Sequence, residues 1–202
     1  MNRIFAFDLK TLKRVFQLVG LLTAFACSSF GSSITYTYNI FDSGTIGFTS
    51  FGDVAITISG VGNTSNIQPG FGGFYVDLNS ASITIAGVGT FEFTTPTAFF
   101  AGGKTVAFCS SPGCTDLVLG PKSPAFSSWA LNTSIGPITG QGQVLQWTLT
   151  SVLTSGGAVV LGDLSAADTF SARSSVPEPG ALLLLATGLL GIGRLVKGKI
   201  TS

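Results

Sequence analysis

The side chains of this chain that could carry out chemistry are carboxylates and cysteines, because the sequence contains no histidine. Without histidine the chain lacks the usual general base, the Ser-His and Cys-His nucleophile pairs and the commonest metal ligand. It also lacks a Walker or dinucleotide fingerprint. Aspartates could hold calcium, but the sequence has no calcium-loop motif. We therefore expect no catalytic residue, no cofactor and no metal site.

A pair of carboxylates is the one catalytic device that the sequence leaves open. Glycoside hydrolases use two carboxyl groups about 5 to 9 Å apart, and Glu92 is the sole glutamate between residues 34 and 175. Its candidate partners are Asp77, Asp116, Asp163 and Asp168. The competing interpretation places Glu92 on the polar face of an amphipathic strand, where it contacts only water. We favour the second interpretation.

Cys109 and Cys114 enclose the segment Ser-Ser-Pro-Gly. Pro-Gly favours a tight turn, and a disulfide across such a small loop would stabilise the fold by roughly 2 kcal/mol. A redox pair usually has two residues between its cysteines, and a zinc site would need further Cys or His ligands. We therefore interpret this pair as a structural disulfide.

Apolar and polar residues alternate at every second position through most of the middle of the chain, which is the pattern of half-buried strands. The clearest runs are residues 34–40, 54–58, 83–85, 91–93 and 145–149. Turn-forming residues separate them. About ten short strands predict an all-β fold, an antiparallel β-sandwich or jelly roll. Residues 120–142 are expected to form a long loop with one short strand near Trp129.

Two segments of the middle region are nearly identical. Residues 55–62 are AITISGVG and residues 82–89 are SITIAGVG, 27 positions later. A solenoid needs at least about three copies to bury a continuous core, and only two are present. We expect two equivalent strands of one sheet, each ending in a glycine turn.

The first 31 residues have the anatomy of a secretory signal peptide. A basic stretch precedes the apolar residues 15–26 and a run of small residues. Cleavage could follow Ala26 or Gly31. Cys27 leaves a lipoprotein site open, although the aromatic residue two positions before it is larger than such sites accept. The basic residues of this segment are Arg3, Lys10, Lys13 and Arg14.

The C-terminal end combines a turn, an apolar span and a basic cluster. Each proline of the turn removes an amide donor and restricts the residue before it, so the turn forms an extended hinge. At about 1.5 Å per residue, residues 180–196 reach roughly 25 Å, short of a ~30 Å hydrocarbon core. The turn consists of Val176, Pro177, Glu178 and Pro179, and the basic end of Arg194, Lys197 and Lys199.

This order of turn, span and charge resembles the PEP-CTERM family of bacterial sorting signals. In that family the tail is recognised by a membrane protease called exosortase. The resemblance covers about a tenth of the chain. It implies export, anchoring in the inner membrane and cleavage near Pro177, Glu178 and Pro179. The basic residues here are spread out rather than adjacent, and an anchor that is never processed is the alternative.

Charge supports the same topology. Seven of the ten basic residues lie before Val15 or after Gly193, whereas residues 34–175 carry three basic and seven acidic residues, a net charge of minus four. Basic flanks stay in the cytoplasm while the middle crosses the membrane. An acidic middle region without a basic stripe excludes nucleic acid as a partner.

We therefore divide the chain into a signal peptide (1–31), an exported β-rich domain (32–175) and a sorting tail (176–202). The resemblance implies association with extracellular polysaccharide or a biofilm matrix after processing. We expect a non-enzymatic structural or adhesive protein at the cell envelope, its outer surface or the matrix. A carbohydrate- or ice-binding module is the first alternative, favoured by regular rows of outward threonines such as Thr35, Thr37, Thr57 and Thr84. A secreted hydrolase with paired carboxylates is the second.

Overall fold

The computed structural model describes residues 32–114, 117–145, 152–162 and 167–175. The predicted signal peptide and sorting tail both lie outside these ranges, and the predicted strand at 145–149 lies almost wholly outside them. Within the described ranges, none of the helices has the length and apolar character needed to span a membrane.

Thirteen strands and two short 3-10 helices make up the described fold. The strands are β1 (Ser33–Ile46), β2 (Thr49–Asn63), β3 (Gln68–Gly70), β4 (Gly73–Ile85), β5 (Gly89–Glu92), β6 (Thr97–Gly102), β7 (Thr105–Ser110), β8 (Leu117–Leu119), β9 (Ile135–Gln141), β10 (Gln143–Leu145), β11 (Val152–Thr154), β12 (Gly157–Leu161) and β13 (Ala167–Ser175). The 3-10 helices span Thr64–Asn66 and Pro124–Ser127. Every strand pairing is antiparallel.

The strands form one continuous sheet that curls into a half-barrel. Strand β4 joins its two halves: residues 78–85 pair with β2, whereas residues 73–77 pair with β6. The first half contains β9, β13, β1, β12, β11, β2, the end of β4 and β5; the second contains β3, the start of β4, β6, β7, β8 and β10. The predicted all-β antiparallel fold is confirmed. The expected sandwich or jelly roll is met in part: the arrangement is sandwich-like, but β4 is long enough to pair in both halves, so the sheet is continuous.

The core lies between the inner faces of the two halves and is built from aromatic rings. The Phe99 ring on β6 lies 4.8 Å from Tyr36 on β1, 5.4 Å from Phe108 on β7 and 5.8 Å from Phe170 on β13. All four side chains are almost completely buried. The Tyr36 hydroxyl donates a hydrogen bond of 2.8 Å to the Leu131 carbonyl, which satisfies its one polar group.

The two similar segments belong to one sheet, as expected, and the structure shows in addition that they lie side by side. Ile56 pairs with Ile85, Thr57 with Thr84 and Ile58 with Ile83. The expectation that both end in glycine turns was wrong for the first copy, because Gly60 and Gly62 lie inside β2 on its buried face. A Cβ at Gly60 would lie 2.5 Å from the Leu78 side chain, and one at Gly62 would lie 3.2 Å from the Tyr36 ring. These glycines therefore make room for core side chains.

The long segment at 120–142 differs from its prediction. Trp129 is not in a strand; it follows the 3-10 helix Pro124–Ser127, and the strand of this region is β9 at Ile135–Gln141. Phe126 and Trp129 are buried, and each ring centroid lies 5.7 Å from Phe170. The segment covers one end of the core. Its sequence does not indicate this, because polar and proline residues surround the two aromatic residues.

Phe99→Ala is expected to lower the free energy of unfolding by about 3 to 5 kcal/mol, because it leaves a cavity at the centre of the ring cluster. Urea denaturation of the full-length chain in detergent measures this loss. Phe48→Ala is the matched control, since Phe48 is fully exposed in the β1–β2 turn. Equal losses in the two variants would contradict the assignment of the core.

Candidate functional surface

A row of small polar side chains crosses six strands on the outer face of the first half. Register pairs each member with the next across the sheet, from β9 through β13, β1, β2 and β4 to β5. Adjacent strands lie about 4.8 Å apart, so the row is about 24 Å long. We call these residues the threonine row: Thr139, Thr169, Asn39, Thr57, Thr84 and Thr90.

Hydrogen bonds join the row in pairs. The Thr57 hydroxyl donates to Asn39 Oδ1 at 2.8 Å. The hydroxyls of Thr84 and Thr90 lie 2.9 Å apart, and those of Thr139 and Thr169 lie 3.0 Å apart. A threonine hydroxyl has one donor and two acceptor sites, so each pair keeps unused capacity for a ligand or water. β-Branched side chains are also stiff at χ1, which fixes the direction of the hydroxyls.

A second row of small, hydroxyl-bearing side chains lies on the same outer face, one outward position further along the strands. Register aligns Ser171, Thr37, Ser59 and Ser82 across β13, β1, β2 and β4, and Glu92 ends this second row on β5. Successive outward residues of a strand are about 6.7 Å apart. The outer face is thus a two-dimensional array of hydroxyl groups rather than a single line.

The candidate carboxylate pair does not form among the described residues. Glu92 is exposed and pairs with Ser82 on β4, whereas Asp77 pairs with Ala98. Ser82 lies five residues beyond Asp77 on β4, so Glu92 and Asp77 are about 17 Å apart along the strand direction. This distance is too long for a glycosidase pair. Asp168 is buried on the opposite face of the sheet from Glu92. Asp116 and Asp163 lie outside the described residues.

Tyr38 and Asp168 form a buried polar contact that no local sequence pattern predicts. The Tyr38 hydroxyl lies 2.5 Å from Asp168 Oδ2, to which it donates, and 2.7 Å from the Leu119 carbonyl. Burial raises the pKa of Asp168, while hydrogen bonds from Tyr38 and the Gly142 backbone lower it. Burial also raises the pKa of Tyr38. The contact links β1, β8 and β13, so its role is structural.

Cys109 and Cys114 are joined by a disulfide, with their Cα atoms 4.8 Å apart. The loop that it closes lies over the outer face of the second half, where the Ser111 hydroxyl donates a 2.6 Å hydrogen bond to Asp77 Oδ1. Throughout the described part of the chain, no three His, Cys, Asp or Glu side chains group together in a way that could hold a metal ion.

Comparison with known proteins identifies the tail. Residues 175–197 match the PEP-CTERM protein-sorting motif. The chain carries this sorting signal. The match contains the whole Val-Pro-Glu-Pro motif at 176–179 and the basic residues Arg194 and Lys197, and Lys199 lies just beyond it. The resemblance drawn from the sequence is confirmed. No curated protein and no solved structure matches the chain.

Asp168→Asn is expected to raise the melting temperature at neutral pH and to have less effect near pH 4. A carboxyl group whose pKa is raised by folding binds its proton more tightly in the folded state, so stability falls as pH rises above the ordinary aspartate range of about 4. The amide has no charge to desolvate. Melting curves of the full-length chain from pH 4 to 8 measure this difference.

The control for this experiment is Asp53→Asn, since Asp53 is an exposed carboxylate on β2. It should melt like the parent protein at each pH. If Asp168→Asn has the same pH dependence as the parent, burial of this carboxylate does not destabilise the fold.

Proposed function

We propose that this protein is a non-enzymatic adhesive component of the bacterial cell surface or extracellular matrix, and that its β domain binds extracellular polysaccharide. The matched sorting motif at residues 175–197 supports export and processing by an exosortase. The threonine row is the observation that carries the adhesive role, because it is an ordered, partly to fully exposed array of five hydroxyl groups and one amide.

The route to the surface follows from the distribution of charge. The signal peptide (1–31) starts export, and the basic end (Arg194, Lys197 and Lys199) stops it, which leaves the β domain outside the inner membrane. Exosortase then cleaves near Pro177, Glu178 and Pro179. The membrane is thus a partner before processing, and the polysaccharide is a partner afterwards.

The chemistry of the threonine row suits a polysaccharide. Sugar hydroxyls donate and accept hydrogen bonds, and the row offers both functions at about 4.8 Å intervals. Hydrogen bonds at an exposed surface are weak one at a time, since each replaces a bond to water. A polymer touches many positions at once, so modest contacts add up to useful retention.

Ordering of water at an ice surface is the second candidate, because five of the six members of the threonine row are outward threonines at regular spacing. A flat crystal plane needs a flat protein surface, whereas this sheet is curled. A flexible polysaccharide can follow a curved surface. For this reason polysaccharide binding is the first candidate.

A variant with both Pro177→Ala and Glu178→Ala is expected to accumulate as a longer, membrane-bound form, because the protease no longer recognises its motif. Immunoblots of membrane and medium fractions measure this change. Pro69→Ala, which alters an exposed proline of β3, should be processed like the parent. If the double variant migrates like the parent and reaches the medium equally, the motif is not being recognised.

A second double variant, Thr57→Val with Thr84→Val, is expected to weaken retention on neutral polysaccharide at least severalfold, because it removes two hydroxyls and keeps the β-branched shape. Native gels cast with dextran, mannan or galactan measure the retention of the full-length chain. Thr49→Val with Thr94→Val, at exposed positions outside the row, is the control.

Equal retention of both double variants would contradict a role for the threonine row in polysaccharide binding. The ice alternative is tested on the same proteins by inhibition of ice recrystallisation. Inhibition that needs Thr57 and Thr84, together with no retention on any gel, would replace the first candidate by the second.

A further inference from the structure

A second outer surface of the domain carries an open pocket with an aromatic wall. It lies on the second half of the sheet, where β4 and β6 meet the disulfide loop, and has a volume of about 270 Å³. We call it the aromatic pocket. The lining residues that matter below are Phe71, Tyr75, Asp77, Ala98, Ser111 and Pro112.

The aromatic wall is exposed to solvent. The Phe71 side chain is 65 % exposed, and its ring lies 5.9 Å from Tyr75 and 6.5 Å from Phe100. Phe71 also has a φ of +53° in the β3–β4 turn, a left-handed conformation that costs about 1 to 2 kcal/mol for a residue with a Cβ. The fold gains little from an exposed ring held in this way, and strain of this kind is concentrated at ligand sites.

Polar groups face the aromatic wall. Asp77 alternates with the buried Val76 on β4 and so points outward. One Asp77 oxygen accepts the Ser111 hydroxyl, and an ionised carboxylate has further acceptor sites for a ligand. The Tyr75 hydroxyl donates to Gln68 Oε1 at 2.9 Å, which fixes the edge of its ring. A ligand with an apolar face and hydroxyl groups at its edge would match both sides.

The charge of the pocket lining restricts the class of ligand further. Among the described residues that line the aromatic pocket, Asp77 is the one charged side chain. A carboxylate repels acidic sugars and phosphates and accepts hydrogen bonds from hydroxyl groups. A neutral sugar is therefore preferred over a uronic acid or a phosphorylated sugar.

The disulfide gives the pocket a rigid wall. It closes the loop that carries Ser111 and Pro112, and the Ser111 backbone N–H donates to the Pro96 carbonyl at 2.8 Å. The buried side chain of Ala98 lies beneath this loop. A wall that is ordered before binding lowers the entropy cost of holding a small ligand.

We propose that the aromatic pocket binds a single pyranose ring of a neutral polysaccharide. The C–H face of the sugar packs on Phe71 and Tyr75, and hydroxyls at the ring edge donate to Asp77. The volume of 270 Å³ is just below the ~300–1,000 Å³ of sites for drug-sized ligands, which suits one ring rather than a chain. This inference rests on the proposed polysaccharide ligand and names its class, at a site separate from the threonine row.

The test is saturation-transfer NMR of the full-length chain with glucose, galactose, mannose and glucuronate. The detergent must be zwitterionic, without a sugar headgroup that could fill the pocket. At least one neutral hexose should receive magnetisation at its ring protons, and glucuronate should receive less. Failure of all three neutral hexoses, or a preference for glucuronate, would overturn the proposal.

Two variants locate the binding. Phe71→Gly removes the ring and suits a positive φ, so it should melt no lower than the parent and bind hexose at least tenfold more weakly. Asp77→Asn keeps the shape and removes the charge, and should also weaken binding and admit glucuronate. Phe48→Ala, another exposed phenylalanine in a hairpin turn, should bind like the parent. Unchanged binding by Phe71→Gly would overturn the proposal.

The proposal for the aromatic pocket and the proposal for the threonine row can be refuted independently of each other. The variant with Thr57→Val and Thr84→Val should bind free hexose like the parent, because both changes lie on the other half of the sheet. Retention on polysaccharide gels without hexose binding would leave the proposed function intact and remove the pocket from it. Hexose binding without retention on any gel would support the pocket and contradict polysaccharide adhesion.

Discussion

The packing of Tyr36, Phe99 and Phe170 between the two halves of the sheet is the interaction on which the rest of the structure depends. The ring centroids of Tyr36 and Phe170 each lie within 6 Å of that of Phe99, and this packing holds the single continuous sheet in its curled shape. Because side chains alternate along a strand, inward rings determine which residues point outward. A shift of one residue in register would bury the threonines and expose the core.

Both proposed binding surfaces follow from this constraint. On β1, Asn39 points outward because Tyr38 and Ile40 are buried. On β4, Tyr75 and Asp77 flank the buried Val76 in the same manner. The two surfaces lie on different halves of the sheet, so one core orients a hydroxyl array on one outer face and an aromatic pocket on the other.

The local pattern of apolar and polar residues was enough to predict much of the fold. Alternation predicted the strands around Tyr36, Ile58 and Ile83, and the similarity of two segments predicted that β2 and β4 are equivalent strands of one sheet. Alternation also placed Thr57 and Thr84 on an outer face. These features depend on residues close in sequence, where spacing alone carries the information.

The remainder depends on contacts between distant segments. Thr139 and Thr169 join the threonine row only because β9 pairs with β13 and β13 with β1, which no local pattern reveals. Phe71 is in a turn, and nothing in its neighbourhood predicts that the disulfide loop comes close to form a pocket. Likewise, the contact of Tyr38 with Asp168 spans 130 positions. Each of these features joins residues that are far apart in sequence, so no local pattern predicts it.

The most direct test of this account is hydroxyl-radical footprinting of the processed protein on cells with and without their extracellular polysaccharide. Phe41 is 52 % exposed beside the threonine row, Phe71 is in the aromatic pocket, and Phe48 lies in a turn away from both. The account predicts that polysaccharide protects Phe41 and Phe71 from oxidation and leaves Phe48 unprotected. Equal oxidation of all three residues in the two samples would contradict it.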